Sequence, residues 1–142
     1  MNIAFFLTPK LNVAFLYDDC SLRQGLEKMR HRGYSAIPVI SREGVYIGTI
    51  SEGDFLWYLL ARTEQGENSF NIHETEDIPI RELLKEDKYP PVHVTATVDQ
   101  LVSKGMSQNF VPVIDDTGIF IGIVTRKDII RHLANNQIAN EI

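Results

Sequence analysis

Apolar and polar residues along the first half of the chain change from a strand-like pattern to a helix-like one and back. A short apolar run is followed by apolar residues spaced three and four apart, which is the spacing of one helix face. Two further apolar runs flank a polar turn, as expected for a hairpin. The predicted elements are a strand at residues 13–17, a helix capped by Ser21 and ended by Gly33, strands at residues 36–40 and 45–50, and a helix that begins after Ser51.

The second half of the chain repeats this order. A short helix predicted at residues 80–85 leads into it, and Pro90 and Pro91 prevent that helix from continuing. The elements predicted after it are a strand at residues 92–94, a helix capped by Thr97, strands at residues 110–114 and 119–124, and a helix that begins after Thr125.

The repetition extends to the residues themselves. Residues 37–60 align without a gap with residues 111–134, at an offset of 74 and with 8 identities in 24 positions. Such a duplication predicts an α+β fold of two βαββα repeats that pack about a pseudo-twofold axis and form two related clefts. We expect the first repeat at residues 1–62, an acidic linker loop at residues 63–77, and the second repeat with a C-terminal helix at residues 78–142.

Composition narrows the class of protein. The chain has 142 residues and a net charge of −5, which argues against broad electrostatic binding to nucleic acid or anionic membrane. Cys20 is the only cysteine, so no internal disulfide can form, and the absence of a signal-like leader predicts a cytoplasmic protein. The four histidines lack the spacing of a metal site, and no nucleophile and base converge in the sequence, so we expect neither a metal nor catalysis.

A strand-to-helix corner with a hydroxyl residue and an aspartate three positions later occurs in both repeats, as Ser51 with Asp54 and as Thr125 with Asp128. One interpretation is a capping box that only closes the helix end. The other is a ligand site, because such a corner presents backbone N–H groups, a hydroxyl and the positive end of a helix to a phosphate. The aspartate would then accept hydrogen bonds from ribose hydroxyls, and the two functions are compatible.

The strand that precedes each hairpin is the second shared feature. Ile37 and Val111 could form apolar walls for a flat base, and backbone groups just before Pro38 and Pro112 could read its edge, since proline has no N–H to continue strand pairing. The alternative is that both segments are core strands with a proline near the turn.

On these motifs the chain resembles a tandem pair of CBS domains, also called a Bateman module. The resemblance covers nearly everything from Phe5 to Leu133 except the acidic loop, and two motifs in register make it specific. It implies a βαββα unit used twice and disc-shaped homodimers. It also implies regulation by adenine-containing ligands such as AMP, ATP, S-adenosylmethionine or cyclic di-AMP. Small bacterial proteins of this kind sense cyclic di-AMP and dock on an enzyme partner.

The resemblance also implies a role for each site residue. Asp54 and Asp128 would hold ribose hydroxyls, and Ser51 and Thr125 would hold phosphate. The base pockets would be lined by Tyr34, Ser35, Ala36, Ile37 and Pro38 in the first repeat and by Asn109, Phe110, Val111 and Pro112 in the second. Lys10 and Ala14 would belong to the segment that leads into the first repeat, where Lys10 could add a charge to a phosphate.

The two corners differ in charge. Glu52 follows Ser51, whereas Arg126 and Lys127 follow Thr125, and arginine can bind phosphate oxygens with both arms of its guanidinium. We therefore expect the Thr125 corner to bind first and most tightly.

The function that we predict is that of a non-enzymatic regulatory module. It would sense an adenine nucleotide in the inter-repeat cleft and signal to a partner protein, acting as a homodimer. The alternative is an interaction scaffold with no ligand. Residues 55–60 are apolar on all sides of their helix, which fits either a dimer interface or burial within one module.

Overall fold

The computed structural model describes residues 3–64, 74–85 and 88–141. In chain order the strands are β1 (Thr8–Pro9), β2 (Leu16–Tyr17), β3 (Ala36–Ile40), β4 (Tyr46–Ser51), β5 (Val92–His93), β6 (Phe110–Ile114) and β7 (Phe120–Thr125). The α-helices are α1 (Leu22–Arg32), α2 (Glu52–Glu64), α3 (Val98–Gly105) and α4 (Arg126–Glu141). Among the described residues, no helix combines the length and the hydrophobicity that crossing a bilayer requires.

The chain divides into two compact units. One consists of residues Ala14–Lys88 and is called the Ser51 unit here. The other consists of residues Met1–Val13 and Tyr89–Ile142 and is called the Thr125 unit. Each unit contains one sheet, one hydrophobic core and one of the two duplicated corners.

The Ser51 unit is built on a sheet with the strand order β2-β3-β4. β2 is parallel to β3, and β3 is antiparallel to β4 through the predicted hairpin. A capping box between Ser21 and Gln24 begins α1, and Gly33 ends it in the left-handed conformation with φ of 71°. Both predicted caps are confirmed.

The Thr125 unit has a sheet with the strand order β1-β7-β6-β5. β5 is parallel to β6, and β6 is antiparallel to β7, so the second repeat reproduces the pairing of the first. Thr97 caps α3 through a capping box with Gln100, which confirms that predicted cap too. The α+β class and the duplicated βαββα order are confirmed.

Each repeat is completed by the segment that leads into the other repeat. Residues 1–13 belong to the Thr125 unit, where Ile3 and Phe6 are buried in the core and β1 pairs with β7. In the same way, residues 78–88 belong to the Ser51 unit, where Ile80 and Leu83 are buried. The compact units therefore divide the chain at places different from the repeat boundaries predicted at residues 62 and 78.

Several predicted elements are shorter or of another type. Of the strand predicted at residues 13–17 only Leu16–Tyr17 pairs, and the helix predicted at residues 80–85 is the 3-10 helix Ile80–Leu83. The predicted loop at residues 63–77 is wrong at both ends, because α2 continues to Glu64 and Glu74–Glu76 forms a 3-10 helix. Its middle, residues 65–73, lies outside the described residues.

Candidate functional site

The Ser51 corner lies where β4 ends and α2 begins. Ala36 stands directly opposite Ser51 in the antiparallel pairing of β3 with β4. The backbone N–H of Glu52 donates to the carbonyl of Ser35 over 3.0 Å, which uses the first N–H group of the helix. The register thus brings the predicted base strand beside the predicted phosphate corner.

The Thr125 corner has the same construction between β7 and α4. Phe110 stands opposite Thr125, and the N–H of Arg126 donates to the carbonyl of Asn109 over 2.9 Å. In both units the sequence repeat therefore becomes a repeated local geometry.

The two corners form complementary halves of a capping box. At the Ser51 corner, the Asp54 carboxylate accepts hydrogen bonds from the Ser51 N–H (2.8 Å) and from the Ser51 hydroxyl (3.2 Å). At the Thr125 corner, the Thr125 hydroxyl accepts from the Asp128 N–H over 3.1 Å. Each corner does cap its helix, and the two differ in which group is left for a ligand.

At the Ser51 corner little is left, because Lys88 occupies it. The Lys88 ammonium lies 2.7 Å from the Asp54 carboxylate and also donates to the Ser51 hydroxyl. The Asp54 side chain is only 2% exposed, so this is a buried carboxylate neutralised by a cation. The Ser51 hydroxyl accepts from Lys88 and donates to Asp54, so both of its hydrogen-bonding roles are used.

At the Thr125 corner the carboxylate faces a cavity. Asp128 is 31% exposed at its side chain, and its ion-pair contact is the Arg131 guanidinium at 4.0 Å. Within the described residues, the Thr125 hydroxyl has no acceptor for its own proton. The cavity has a volume of about 370 Å³ and is lined by Phe5, Phe6, Leu7, Thr8, Asp128, Arg131, His132 and Asn135. The lead-in residues 1–13 thus supply half of its wall.

Arg126 has a different contact from the one that the sequence predicts. Its guanidinium donates to the carbonyl of Gly105 over 2.7 Å and so caps the C-terminal end of α3. It does not line the Asp128 cavity. The reason for preferring the Thr125 corner therefore changes from the arginine beside it to the open carboxylate.

The predicted apolar walls are also placed differently. Ile37 and Val111 are fully buried in the cores of their own units, and Pro38 and Pro112 are buried beside them. As these side chains are buried, the groups that they leave for a ligand are those of the backbone. Such burial is what the alternative interpretation, core strands with a proline near the turn, predicts.

The remaining predicted site residues are spread over both units. Tyr34 and Ser35 are exposed just before β3. Ala14 packs against the core of the Ser51 unit, whereas Lys10 lies in the 3-10 helix Lys10–Asn12 of the Thr125 unit. Neither Lys10 nor Ala14 lines the Asp128 cavity.

Sequence reasoning missed two residues around the second base strand. The Tyr89 ring packs on Phe110 with ring centroids 4.9 Å apart, and its hydroxyl accepts the N–H of Asn109 over 3.3 Å. The buried amide of Gln108 donates to the carbonyl of Phe110 over 3.2 Å. One of the backbone acceptors just before Pro112 is thereby already satisfied. Tyr89 lies outside the duplicated segments, so no pattern signalled it, and Gln108 begins the shared segment that ends at Pro112 but carries no local signal of this contact.

Comparison with known proteins follows the duplication. The family model of the CBS domain matches residues 7–61 and again residues 76–135. The chain belongs to the CBS domain family and carries two copies of the domain. An uncharacterized protein of Methanopyrus kandleri is 29% identical over 104 residues, and this chain spans about half (49%) of that relative's length.

Solved structures resemble the whole chain. A CbpB protein crystallised in complex with c-di-AMP is 27% identical, with a TM-score of 0.84 over 100% of this chain and 91% of that one. A CBS domain protein from Streptococcus pneumoniae TIGR4 is 29% identical, with a TM-score of 0.80 over 94% of this chain and 87% of that one. CbpB from Streptococcus agalactiae is also 29% identical, with a TM-score of 0.77 over 91% and 77%.

Proposed function

We propose that this protein is a regulatory module that binds an adenine nucleotide at the Thr125 corner and signals its occupancy to a partner protein. The observation that carries the proposal is the Asp128 carboxylate, which lines a cavity while the equivalent Asp54 is buried against Lys88. The similarity to a CbpB protein solved with c-di-AMP supports the adenine nucleotide as the ligand class.

The chemistry of the cavity fits a nucleoside phosphate. A carboxylate accepts two hydrogen bonds from a vicinal diol such as that of ribose, and Asp128 has acceptor capacity to spare. Arg131 is a cation on the cavity wall and can pair with a phosphate. The hydroxyl of Thr125 is not part of that wall, but it lies at the same strand-to-helix corner as Asp128 and can donate to a phosphate oxygen. Phe5, which is 83% exposed, offers an aromatic face on which a base can stack.

The size of the cavity bears on which nucleotide binds. About 370 Å³ lies at the lower end of the range for small-molecule sites and suits a mononucleotide. A cyclic dinucleotide needs further room for its second base and phosphate. AMP, ATP and cyclic di-AMP are therefore the three probes to compare.

Isothermal titration with each of the three probes tests the proposal on wild type and on Asp128→Asn. We expect at least one probe to bind wild type and raise its melting temperature, since a ligand that binds only the folded state stabilises it. Asp128→Asn should weaken that binding about tenfold or more, because an amide accepts at one atom only. Asp116→Asn, at a carboxylate that is 90% exposed in the same unit, is the matched control and should bind like wild type.

Binding by none of the probes, or equal binding by wild type and Asp128→Asn, would reject the assignment. ATP should be recovered unchanged after incubation with the protein, because we propose a non-enzymatic role in the cytoplasm. Release of phosphate would place the protein among enzymes instead.

The output surface that we propose is α2. Leu56, Trp57 and Leu60 are 59%, 63% and 45% exposed on this helix, an apolar patch that a second copy or a regulated enzyme could cover. Trp57 is the only tryptophan, so its emission reports this surface alone.

If the protein forms a homodimer through this surface, Trp57 emission should shift to the blue as the protein concentration rises. Light scattering should then show that Leu56→Asp is a monomer. A scaffold that binds no ligand would keep the dimer and give no nucleotide-dependent change in emission.

A further inference from the structure

We propose that Lys88 is a built-in occupant of the Ser51 corner, an internal cation that keeps this corner from binding a nucleotide. The inference rests on the proposed function and adds to it that the two corners are unequal by construction: one is open and one is closed by the protein itself. The contacts of Lys88 with Asp54 and Ser51 carry it.

Lys88 takes the groups that a nucleotide would need. A ribose would approach the Asp54 carboxylate, but its Oδ2 already accepts from the Lys88 ammonium and from the N–H and hydroxyl of Ser51. The side chain is only 2% exposed, so little of the carboxylate is left for a ribose to reach. A phosphate would approach the Ser51 hydroxyl, whose proton is already given to Asp54. The ammonium thus occupies the carboxylate, and the Ser51 hydroxyl, held between Lys88 and Asp54, has no proton left for a phosphate.

Displacement of Lys88 is costly for an electrostatic reason. Asp54 is 2% exposed, and a buried carboxylate that loses its cation is left with an uncompensated charge. Ribose hydroxyls are neutral donors, so they replace the hydrogen bonds but not the charge. A nucleotide at this corner must therefore work against a charge-assisted contact that the Thr125 corner does not have.

The Thr125 corner lacks an equivalent occupant in the described part of the chain. The segment that reaches it is residues 1–13, and among the lining residues this segment supplies Thr8 and no lysine. The cation nearest to Asp128, Arg131, is 62% exposed and 4.0 Å away, which is a weak surface contact. The same exchange of lead-in segments therefore closes one corner and leaves the other open.

The test uses a background in which the open corner is disabled. We expect Asp128→Asn to abolish tight binding of AMP, ATP or cyclic di-AMP. Addition of Lys88→Gln to this variant should open the Ser51 corner and raise the nucleotide affinity about tenfold or more. In the otherwise wild-type chain, Lys88→Gln should raise the stoichiometry from one nucleotide per chain to two. Lys88→Arg, which keeps the cation, is the matched control and should leave one.

A second variant guards against misfolding, because Lys88→Gln leaves Asp54 unpaired. Lys88→Gln with Asp54→Asn replaces the ion pair by a neutral pair, and it should fold but regain only weak binding at the Ser51 corner. Acetylation gives an independent readout: the Lys88 amine should react slowly in wild type and about tenfold faster in Asp54→Asn, while exposed Lys127 reacts alike in both.

The outcomes separate the two proposals. Two results would overturn the occupant role of Lys88 and leave the proposed sensor function standing. In one, wild type binds a nucleotide and Lys88→Gln gains no second site. In the other, Lys88→Gln lowers the affinity because the ammonium holds phosphate. Two equal sites in wild type would overturn it as well. If no variant binds any probe, the proposed function fails, and the occupant role fails with it.

Discussion

The duplicated corner motif has a buried aspartate in one repeat and an aspartate at a cavity in the other, and Lys88 accounts for the difference. Asp54 and Asp128 occupy equivalent positions in the repeats, yet Asp54 is buried against Lys88 and Asp128 lines a cavity. The sequence predicts both corners because the motif is local. It could not predict Lys88, which lies 34 residues after Asp54 and belongs to no repeated pattern.

The buried pair at the Ser51 corner predicts unequal costs for two equivalent substitutions. Asp54→Ala leaves the Lys88 cation without its partner and should lower the free energy of unfolding by about 3 kcal/mol. Asp128→Ala removes only a distant, partly exposed contact and should cost less than about 1 kcal/mol. Urea unfolding of both variants measures the difference. Equal costs would contradict the asymmetry.

Cys20 should be an unreactive thiol. Burial, with a further contribution from the Asp19 carboxylate, raises the pKa of Cys20 from 9.0 to about 11. The thiolate is the reactive form, so at pH 8 the folded protein should react with iodoacetamide about a hundredfold more slowly than the urea-unfolded chain. Mass spectrometry of timed samples measures both rates. Similar rates in the two states would show that the thiol is not protected.

The same pKa has a consequence for stability at high pH. A folded-state pKa above the unfolded value means that the folded state holds the proton more tightly. The stabilisation is complete below pH 9.0 and is lost as the pH rises through about 11. Unfolding free energies of wild type should thus fall more steeply over this range than those of Cys20→Ala. Parallel curves would contradict the expected linkage.

Among the elements, local sequence signals predicted the helix ends and the two hairpins, whereas one long-range strand pairing was not predicted. Ser21 and Thr97 begin their helices and Gly33 ends α1 as predicted, because caps depend on residues three or four apart. The strands 36–40 and 110–114 are also found at their predicted positions. β1 was not predicted, since its two residues carry no periodicity and its partner β7 is more than a hundred residues away.

The pairing of β1 with β7 requires a glycine at position 122, because the backbone of β1 leaves no space there for a side chain. A Cβ at Gly122 would lie 2.2 Å from the carbonyl oxygen of Thr8, a backbone atom that cannot rotate away. Gly122→Ala should therefore break the pairing of β1 with β7 and cost about 2 kcal/mol or more. Because Thr8 lines the Asp128 cavity, nucleotide affinity should fall as well.

Gly48 provides the control, because it occupies the equivalent position in the first repeat. The nearest atom to its added Cβ is a methyl group of Leu84 at 3.5 Å, an ordinary contact with a movable side chain. Gly48→Ala should be stable to within about 0.5 kcal/mol and should bind nucleotide like wild type. Urea unfolding and titration of both variants separate the positions. A tolerated Gly122→Ala would mean that β1 does not depend on close backbone approach.

In the whole molecule, the two compact units do not coincide with the two sequence repeats. Each unit takes its lead-in segment from the other repeat: residues 1–13 complete the Thr125 unit and residues 78–88 complete the Ser51 unit. Hydrophobic patterning predicts that such segments are buried but not in which core, since two similar cores present similar surfaces to them. This exchange also determines the chemistry of the corners, because it delivers Lys88 to one and Thr8 to the other.

The exchange predicts that deletion of residues 1–13 destabilises the Thr125 unit, most of which comes from the second half of the sequence. Ile3 and Phe6 are 1% and 7% exposed in the core of the Thr125 unit, and β1 covers one edge of β7. Deletion of residues 1–13 should raise amide hydrogen exchange in β6 and β7 by about tenfold or more, because buried apolar contacts and a strand partner are removed. Amides of β3 and β4 in the Ser51 unit should keep their protection. Leu11→Ala, at a side chain that is 97% exposed, should leave both sheets unchanged. Faster amide hydrogen exchange in β3 instead of β7 would mean that the N-terminal segment completes its own repeat. The explanation of why Thr8 lies at one corner and Lys88 at the other would then be wrong.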